Sequence, residues 1–247
     1  MPSQLPRSGS PSTGPYVADD NHDASISDDG HAIAFVSSRD LVPGTGTVGN
    51  SFPLEDTEEI YTFIRGSSAL KTAGGTTAGT LGQVTKTPRG TIANPIYCKN
   101  PTISGDGTRV VFSSTGDAPV PGMPAGGNPS TSRNEEIFFT DLDAAGFPTG
   151  TKKQVTTTTP TNPGDPVNIL DLGRRMSRDG RYIVFDSYAD LAGENSGTNY
   201  TSFATYLYDT TANTFRRICA RSDADSAATG GDVARYAGFT DTDSLGA

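Results

Sequence analysis

From about residue 22 onward the chain alternates short apolar stretches with polar, glycine-rich breaks. The stretches are rich in Val, Ile, Phe and Tyr and too short for helices, so they predict strands. Three of them share one frame: Ile26-Ser27-Asp28-Asp29-Gly30 running on to Phe35, Ile103-Ser104-Gly105-Asp106-Gly107 running on to Phe112, and Met176-Ser177-Arg178-Asp179-Gly180 running on to Phe185. Each reads apolar-Ser-x-Asp-Gly-x-x-apolar-apolar-Phe, with intervals of 77 and 73 residues between Ser27, Ser104 and Ser177. Asp-Gly between two apolar runs predicts a tight hairpin, here of type I′, with φ > 0 at both central residues. The run Arg109-Val110-Val111-Phe112-Ser113 is nearly continuous in apolar character, as a strand covered on both faces would be.

Each copy continues alike. A third strand is predicted at 59–63, 136–140 and 205–209, and a short fourth at 83–85, 154–156 and 215–218. Repeats of one supersecondary unit indicate a modular architecture. Four short antiparallel strands per unit predict an all-β protein, a β-propeller of three four-stranded antiparallel blades. The blades are placed at about 22–86, 99–157 and 172–219. Residues 1–21, rich in Pro, Ser and Gly, form a flexible lead-in, and 220–247 a link with the start of a further blade near Gly238-Phe239-Thr240.

The frame, the later apolar strand and the Val-Thr endings at 84–85 and 155–156 resemble the TolB-type (WD-repeat-like) β-propeller repeat of bacterial extracytoplasmic proteins. Ala34-Phe35 matches that family's Ala-Phe pair, whereas Val111-Phe112 and Val184-Phe185 depart mildly from it. The resemblance covers roughly residues 22–219. It implies a periplasmic, secreted or cell-surface location, although no signal peptide stands in this chain. It is specific for repeat type and not for activity. Propellers close with four to eight blades, and three leave two apolar blade faces to cover. The chain is therefore expected to be part of a larger propeller, or else to close a ring with a second copy.

Composition narrows the function. The 29 Gly and 17 Pro exclude a helical bundle, and no apolar run is long enough to span a bilayer as a helix. A net charge of −9 argues against general nucleic-acid binding, which needs clustered cations. Cys98 and Cys219 show no metal-ligand spacing; they read as unrelated thiols, with a disulfide as the alternative. No nucleophile elbow, catalytic triad or phosphate loop is present. Glu194, Asp165, Asp171, Arg174, Arg175 and Lys99 break the repeat, but no pair among them has diagnostic spacing. Glu58-Glu59 and Glu135-Glu136 recur, and read as polar edges of third strands. No cofactor, metal ion or catalytic residue is expected.

The serines and aspartates of the corner (Ser27, Asp29, Ser104, Asp106, Ser177, Asp179) recur once per copy. They read, with Gly30, Gly107, Gly180 and the three Phe residues, as structural positions rather than catalytic ones. Long connections at 39–58, 115–134 and 188–203, with the interblade links, fall on one rim, where binding is expected. Asp40, Asp117 and Asp190, each in a Phe-x-Ser-x-x-Asp motif, and Glu194 are the candidate rim residues. An aspartate there either starts an Asx-turn or joins a carboxylate ring that binds a cation or basic ligand. The expected function is non-catalytic recognition or scaffolding, with a protein, peptide or envelope polymer as partner. The alternative is the accessory propeller of a prolyl-oligopeptidase-like peptidase or glycan-acting enzyme whose catalytic domain lies outside this chain.

Overall fold

The computed structural model describes residues 21–38, 41–42, 57–66, 79–88, 90, 94–162, 164–220 and 238–240. These residues are all-β. The first sheet contains β1 (Asn21–Ile26), β2 (Ala32–Ser37), β3 (Glu59–Arg65) and β4 (Gly79–Gln83). The second contains β5 (Cys98–Ile103), β6 (Arg109–Ser114), β7 (Glu136–Leu142) and β8 (Pro148–Gln154). The third contains β9 (Asn168–Ile169), β10 (Tyr182–Ser187), β11 (Ala204–Asp209) and β12 (Thr214–Ala220). Each sheet has four strands, paired in chain order and antiparallel throughout. Among the described residues there is no helix, and hence none long and apolar enough to cross a membrane.

The repeated corner is a four-residue hairpin rather than a type I′ turn. Gly30, Gly107 and Gly180 have φ of +66°, +75° and +68°, but the preceding aspartates are not in the positive-φ region. The amide of each glycine donates to the carbonyl of the corner serine (Ser27, Ser104, Ser177) at 2.9–3.0 Å, which closes a type I turn with glycine at its last position. The serine hydroxyl explains the choice. It donates to the aspartate two residues on, at 2.8, 2.7 and 2.7 Å in the three copies. It also accepts the amide of Ala32, Arg109 or Tyr182 at 2.9–3.0 Å. The aspartate in turn accepts the amide of His31, Thr108 or Arg181 at 2.9–3.0 Å. Those bonds hold Asp29 and Asp179 below the usual carboxylate range. For Asp29 the His31 amide is the largest influence, and for Asp179 the bonds outweigh an opposing desolvation. Local side-chain bonds thus decide the turn type.

Alternation along each strand assigns its two faces. Val110 and Phe112 of β6, with Phe138 and Leu142 of β7, pack into a core with Ala32, Ala34, Val36 and Ile60 of the first sheet. Val111, Ile137 and Phe139 point the other way, into a core with Met176, Ile183, Phe185 and Tyr206 of the third. The second sheet is therefore buried on both faces, as its continuous apolar run predicts. Each sheet carries one stacked aromatic pair directly across β2–β3 or its equivalents: Phe35 on Tyr61, Phe112 on Phe138 and Phe185 on Tyr206, with centroids 6.1, 5.9 and 6.3 Å apart.

Successive sheets are also joined through their first hairpins. The amide of Asp28 donates to the carbonyl of Gly105 at 2.8 Å, and that of Asp106 to Arg178 at 2.9 Å. Arg174 and Arg178 of the third sheet reach back to Asp28 of the first, at 2.7 and 3.4 Å.

Several expected bounds shift. Asn21 and Cys98 are the first residues of β1 and β5, not the ends of a lead-in and a link. The fourth strands start earlier, with β4 ending at Gln83 and β8 at Gln154, so the Val-Thr pairs lie just beyond them. In the third copy an insertion after Ile169 interrupts the first strand, which resumes only as a Met176–Ile183 bridge. There Arg175 is buried, with its guanidinium on the carbonyls of Asp171 and Leu172. Residues 1–20 lie outside the described residues; of 220–247 only Ala220 and 238–240 are described, and the amide of Phe239 donates to the carbonyl of Arg174.

Candidate binding groove on the long-loop rim

In the second and third sheets the loop after the second strand is held by the aspartate of the Phe-x-Ser-x-x-Asp motif. Asp117 accepts the amides of Gly126 and Asn128 at 2.9 and 3.1 Å, drawing the far end of its loop back to β6. Asp190 accepts the amides of Glu194, Asn195 and Gly197 at 2.7–2.8 Å and the Tyr200 hydroxyl at 3.3 Å. Desolvation works against its charge, but the Gly197, Asn195 and Glu194 amides outweigh it and hold the Asp190 carboxyl below its ordinary range. Both carboxylates therefore span several residues, a longer reach than the two-residue Asx-turn expected. Asp40 lies outside the described residues. Glu194 pairs with Arg217, whose guanidinium sits 5.1 Å from the centre of the Tyr200 ring. Among the described residues no group of three His, Cys, Asp or Glu side chains converges to hold a metal ion.

Where the β8–β9 link meets the β10–β11 loop, residues 157–159, 161, 165–167, 188–191 and 197–201 line an open groove of about 970 Å³. Its walls are fastened to each other. The Tyr188 amide donates to the Val167 carbonyl and Asn199 Nδ2 to the Thr159 carbonyl, both at 2.9 Å, while the Tyr200 amide closes its own loop on the Tyr188 carbonyl at 2.7 Å. Tyr188 packs on Phe203 with ring centroids 3.8 Å apart. Asp190 and Asp165 line the groove; Asp117 and Glu194 do not. Its threonines and Asn199 carry no sequence motif. The loop tyrosines Tyr188 and Tyr200, which have no counterpart in the other copies, were the signal available.

A second recurrent site lies at the start of the third strand in the first two sheets. Glu59 and Glu136, expected at polar strand edges, are instead among the most buried residues described, at 0% and 1% exposure. Glu59 accepts the hydroxyls of Thr85 and Thr87 at 2.5 and 2.6 Å and the Thr87 amide at 2.7 Å. Glu136 accepts the Thr158 hydroxyl and amide at 2.9 and 2.6 Å, and Asn168 Nδ2 at 3.0 Å. Burial pushes the Glu59 carboxyl up to about 7 and raises Glu136 too, with the threonine bonds only partly offsetting it. Cys98, buried beside Glu59 and bonded to Ser114, has its thiol raised by the same burial. Cys98 and Cys219 are both free thiols, one buried and one exposed.

The third copy has Ala204 where Glu59 and Glu136 stand, and Cys219 where Thr85 and Thr156 stand. Carboxylate and threonine are lost together, as they must be if each exists to satisfy the other. That joint loss was the sequence signal for their burial.

Compared with models of known protein families and with characterised proteins, the chain matches none.

Proposed function

We propose that the three sheets are successive blades of a β-propeller, and that the chain is a non-catalytic recognition module of an exported protein. Its ligand, a protein, peptide or envelope polymer, is held on the rim formed by the β2–β3-type loops and the interblade links. The observation that carries this reading is the groove between the β8–β9 link and the β10–β11 loop: concave, preformed, and built from two connections of the same rim. The propeller reading is supported by the identical pairing order of the sheets and by the packing of the Phe112 face on the first sheet and the Phe185 face on the second. The hydrogen bonds between successive first hairpins support it as well. The corner Ser-Asp pairs, spent on turn bonds in every copy, are structural in this reading. The location outside the cytoplasm rests on the resemblance to TolB-type repeats.

The test compares the wild-type chain with a Thr159→Arg/Thr198→Arg variant, which fills the groove from two exposed positions. Both are measured against isolated envelope polymers and a peptide library, with circular dichroism to verify the fold. The wild type is expected to bind one class and the variant to lose it. Equal binding by both would refute the groove as the recognition site, and turnover of a ligand would refute the non-catalytic reading.

A further inference from the structure

The chemistry of the groove walls selects among ligands, and we infer that the groove takes a short, uncharged oligosaccharide. This rests on the reading of the rim as a recognition surface and narrows it to one class.

Three observations lead there. The first is charge: among the described residues no lysine, arginine or histidine lines the groove, whereas Asp165 and Asp190 do. Arg217, whose guanidinium lies over the Tyr200 ring, is paired with Glu194. A phosphate, a nucleic acid or a uronate-bearing glycan would meet carboxylates without a compensating cation. The second is backbone use. The main-chain groups that an extended peptide would pair with are already taken, at Tyr188 by Val167 and Tyr200 and at Thr159 by Asn199. Strand addition needs such groups free.

The third is the kind of polar group that remains. Thr157, Thr159, Thr161 and Thr198 are exposed in the walls. The hydroxyls of Thr157 and Thr161 accept from Gln154 and Asn199 at a long 3.4 Å and keep a proton to donate, and a threonine hydroxyl both donates and accepts. That dual capacity matches sugar hydroxyls, which do the same. Asp165 adds an exposed carboxylate, steadied by Asn162 at 2.8 Å, that accepts from a sugar hydroxyl in a charge-assisted bond. Tyr188 and Tyr200 are half-buried in the walls, with Phe203 packed on one ring and Arg217 on the other; the ring surface left uncovered suits the C–H face of a pyranose. Because the walls are cross-tied before any ligand arrives, little ordering cost falls on binding.

The experiment is titration calorimetry of the whole chain with three panels: uncharged oligosaccharides, uronate-containing oligosaccharides of the same length, and extended peptides. Asp165→Ala and Thr161→Val alter exposed side chains without touching the core, and are run beside the wild type. The inference expects binding in the uncharged panel, about tenfold weaker in Asp165→Ala, the scale of one lost hydrogen bond to a charged group. It expects a smaller loss in Thr161→Val and weaker binding of the uronate series. Uronate binding as tight as the uncharged series, or unchanged affinity in Asp165→Ala, overturns it. Peptide binding that Thr159→Arg/Thr198→Arg abolishes also overturns it, while leaving rim recognition standing. Saccharide binding that survives that blocking variant overturns both.

Discussion

The side-chain amide of Asn168, at the start of the third sheet, donates to the carboxylate of Glu136 in the second at 3.0 Å. The same amide reaches the Thr158 hydroxyl at 2.9 Å and the Glu135 carbonyl at 3.1 Å, while its oxygen accepts from Ser187 at 2.8 Å. One side chain therefore ties the second sheet, the β8–β9 link and β10 together, with Asn168, Glu136 and Ser187 buried and Glu135 and Thr158 half-buried. Asn168→Ala removes every one of these bonds and leaves Glu136 short of a donor. It is expected to cost about 3 kcal/mol in urea unfolding, because four hydrogen bonds are lost at once and a buried acceptor is left less satisfied. A loss below about 0.5 kcal/mol, typical of a surface change, would show the knot to be incidental.

Glu59 predicts a pH signature. Its carboxyl titrates near 4.5 in the unfolded chain and near 7 in the fold, where burial favours the protonated form. The folded state thus holds an extra proton between those values. Stability from this group is full below about pH 4.5, declines as pH rises towards 7, and stays low above it. Glu59→Gln is neutral throughout. Measured as unfolding free energy, the variant is expected to gain on the wild type by a few kcal/mol between about pH 4.5 and 8, because a tenfold difference in proton affinity between fold and unfolded chain is worth about 1.4 kcal/mol. A difference constant with pH would contradict the buried, proton-holding carboxyl.

Gly107 occupies φ +75° at the end of the type I turn, and a side chain there would stand 3.1 Å from Ala32 Cβ in the neighbouring sheet. Gly107→Val meets both the left-handed penalty of about 1–2 kcal/mol and that contact. The midpoint of thermal unfolding is expected to fall, by more than it does in Gly107→Ala. Equal midpoints for glycine, alanine and valine would reject the turn.

Phe112 is fully buried and stacks on Phe138 in the core shared by the first two sheets. Phe112→Ala is expected to cost about 3–5 kcal/mol. An unchanged denaturation midpoint would place that side chain elsewhere.

Much of this fold can be read from the chain because its information is local and stated three times. Ser-x-Asp-Gly locates every first hairpin, and the run around Phe112 foretells a sheet buried on both sides. The turn type is not legible in the same way: Asp-Gly alone suggests type I′, whereas Ser27, Ser104 and Ser177 add side-chain bonds that favour the longer loop. The burial of the glutamates is hidden because a carboxylate is ordinarily exposed. Their partners, Thr85 with Thr87 and Thr156 with Thr158, stand 20 to 28 residues on, beyond the reach of any local pattern. The groove is legible only as a rim. Its walls come from loops that do not repeat, and which of their side chains meet is set by how two sheets pack.

In the proposed propeller the three sheets turn about one axis, with the first hairpins gathered near it. Pulsed electron spin resonance between nitroxide labels at His31, Thr108 and Arg181, all exposed at the hairpin ends, measures this directly. Arg178 contacts Asp28 across the second sheet's hairpin, so the 31–181 distance is predicted to fall well short of the sum of the 31–108 and 108–181 distances. A 31–181 distance equal to that sum, as in a single extended layer of strands, would contradict the account.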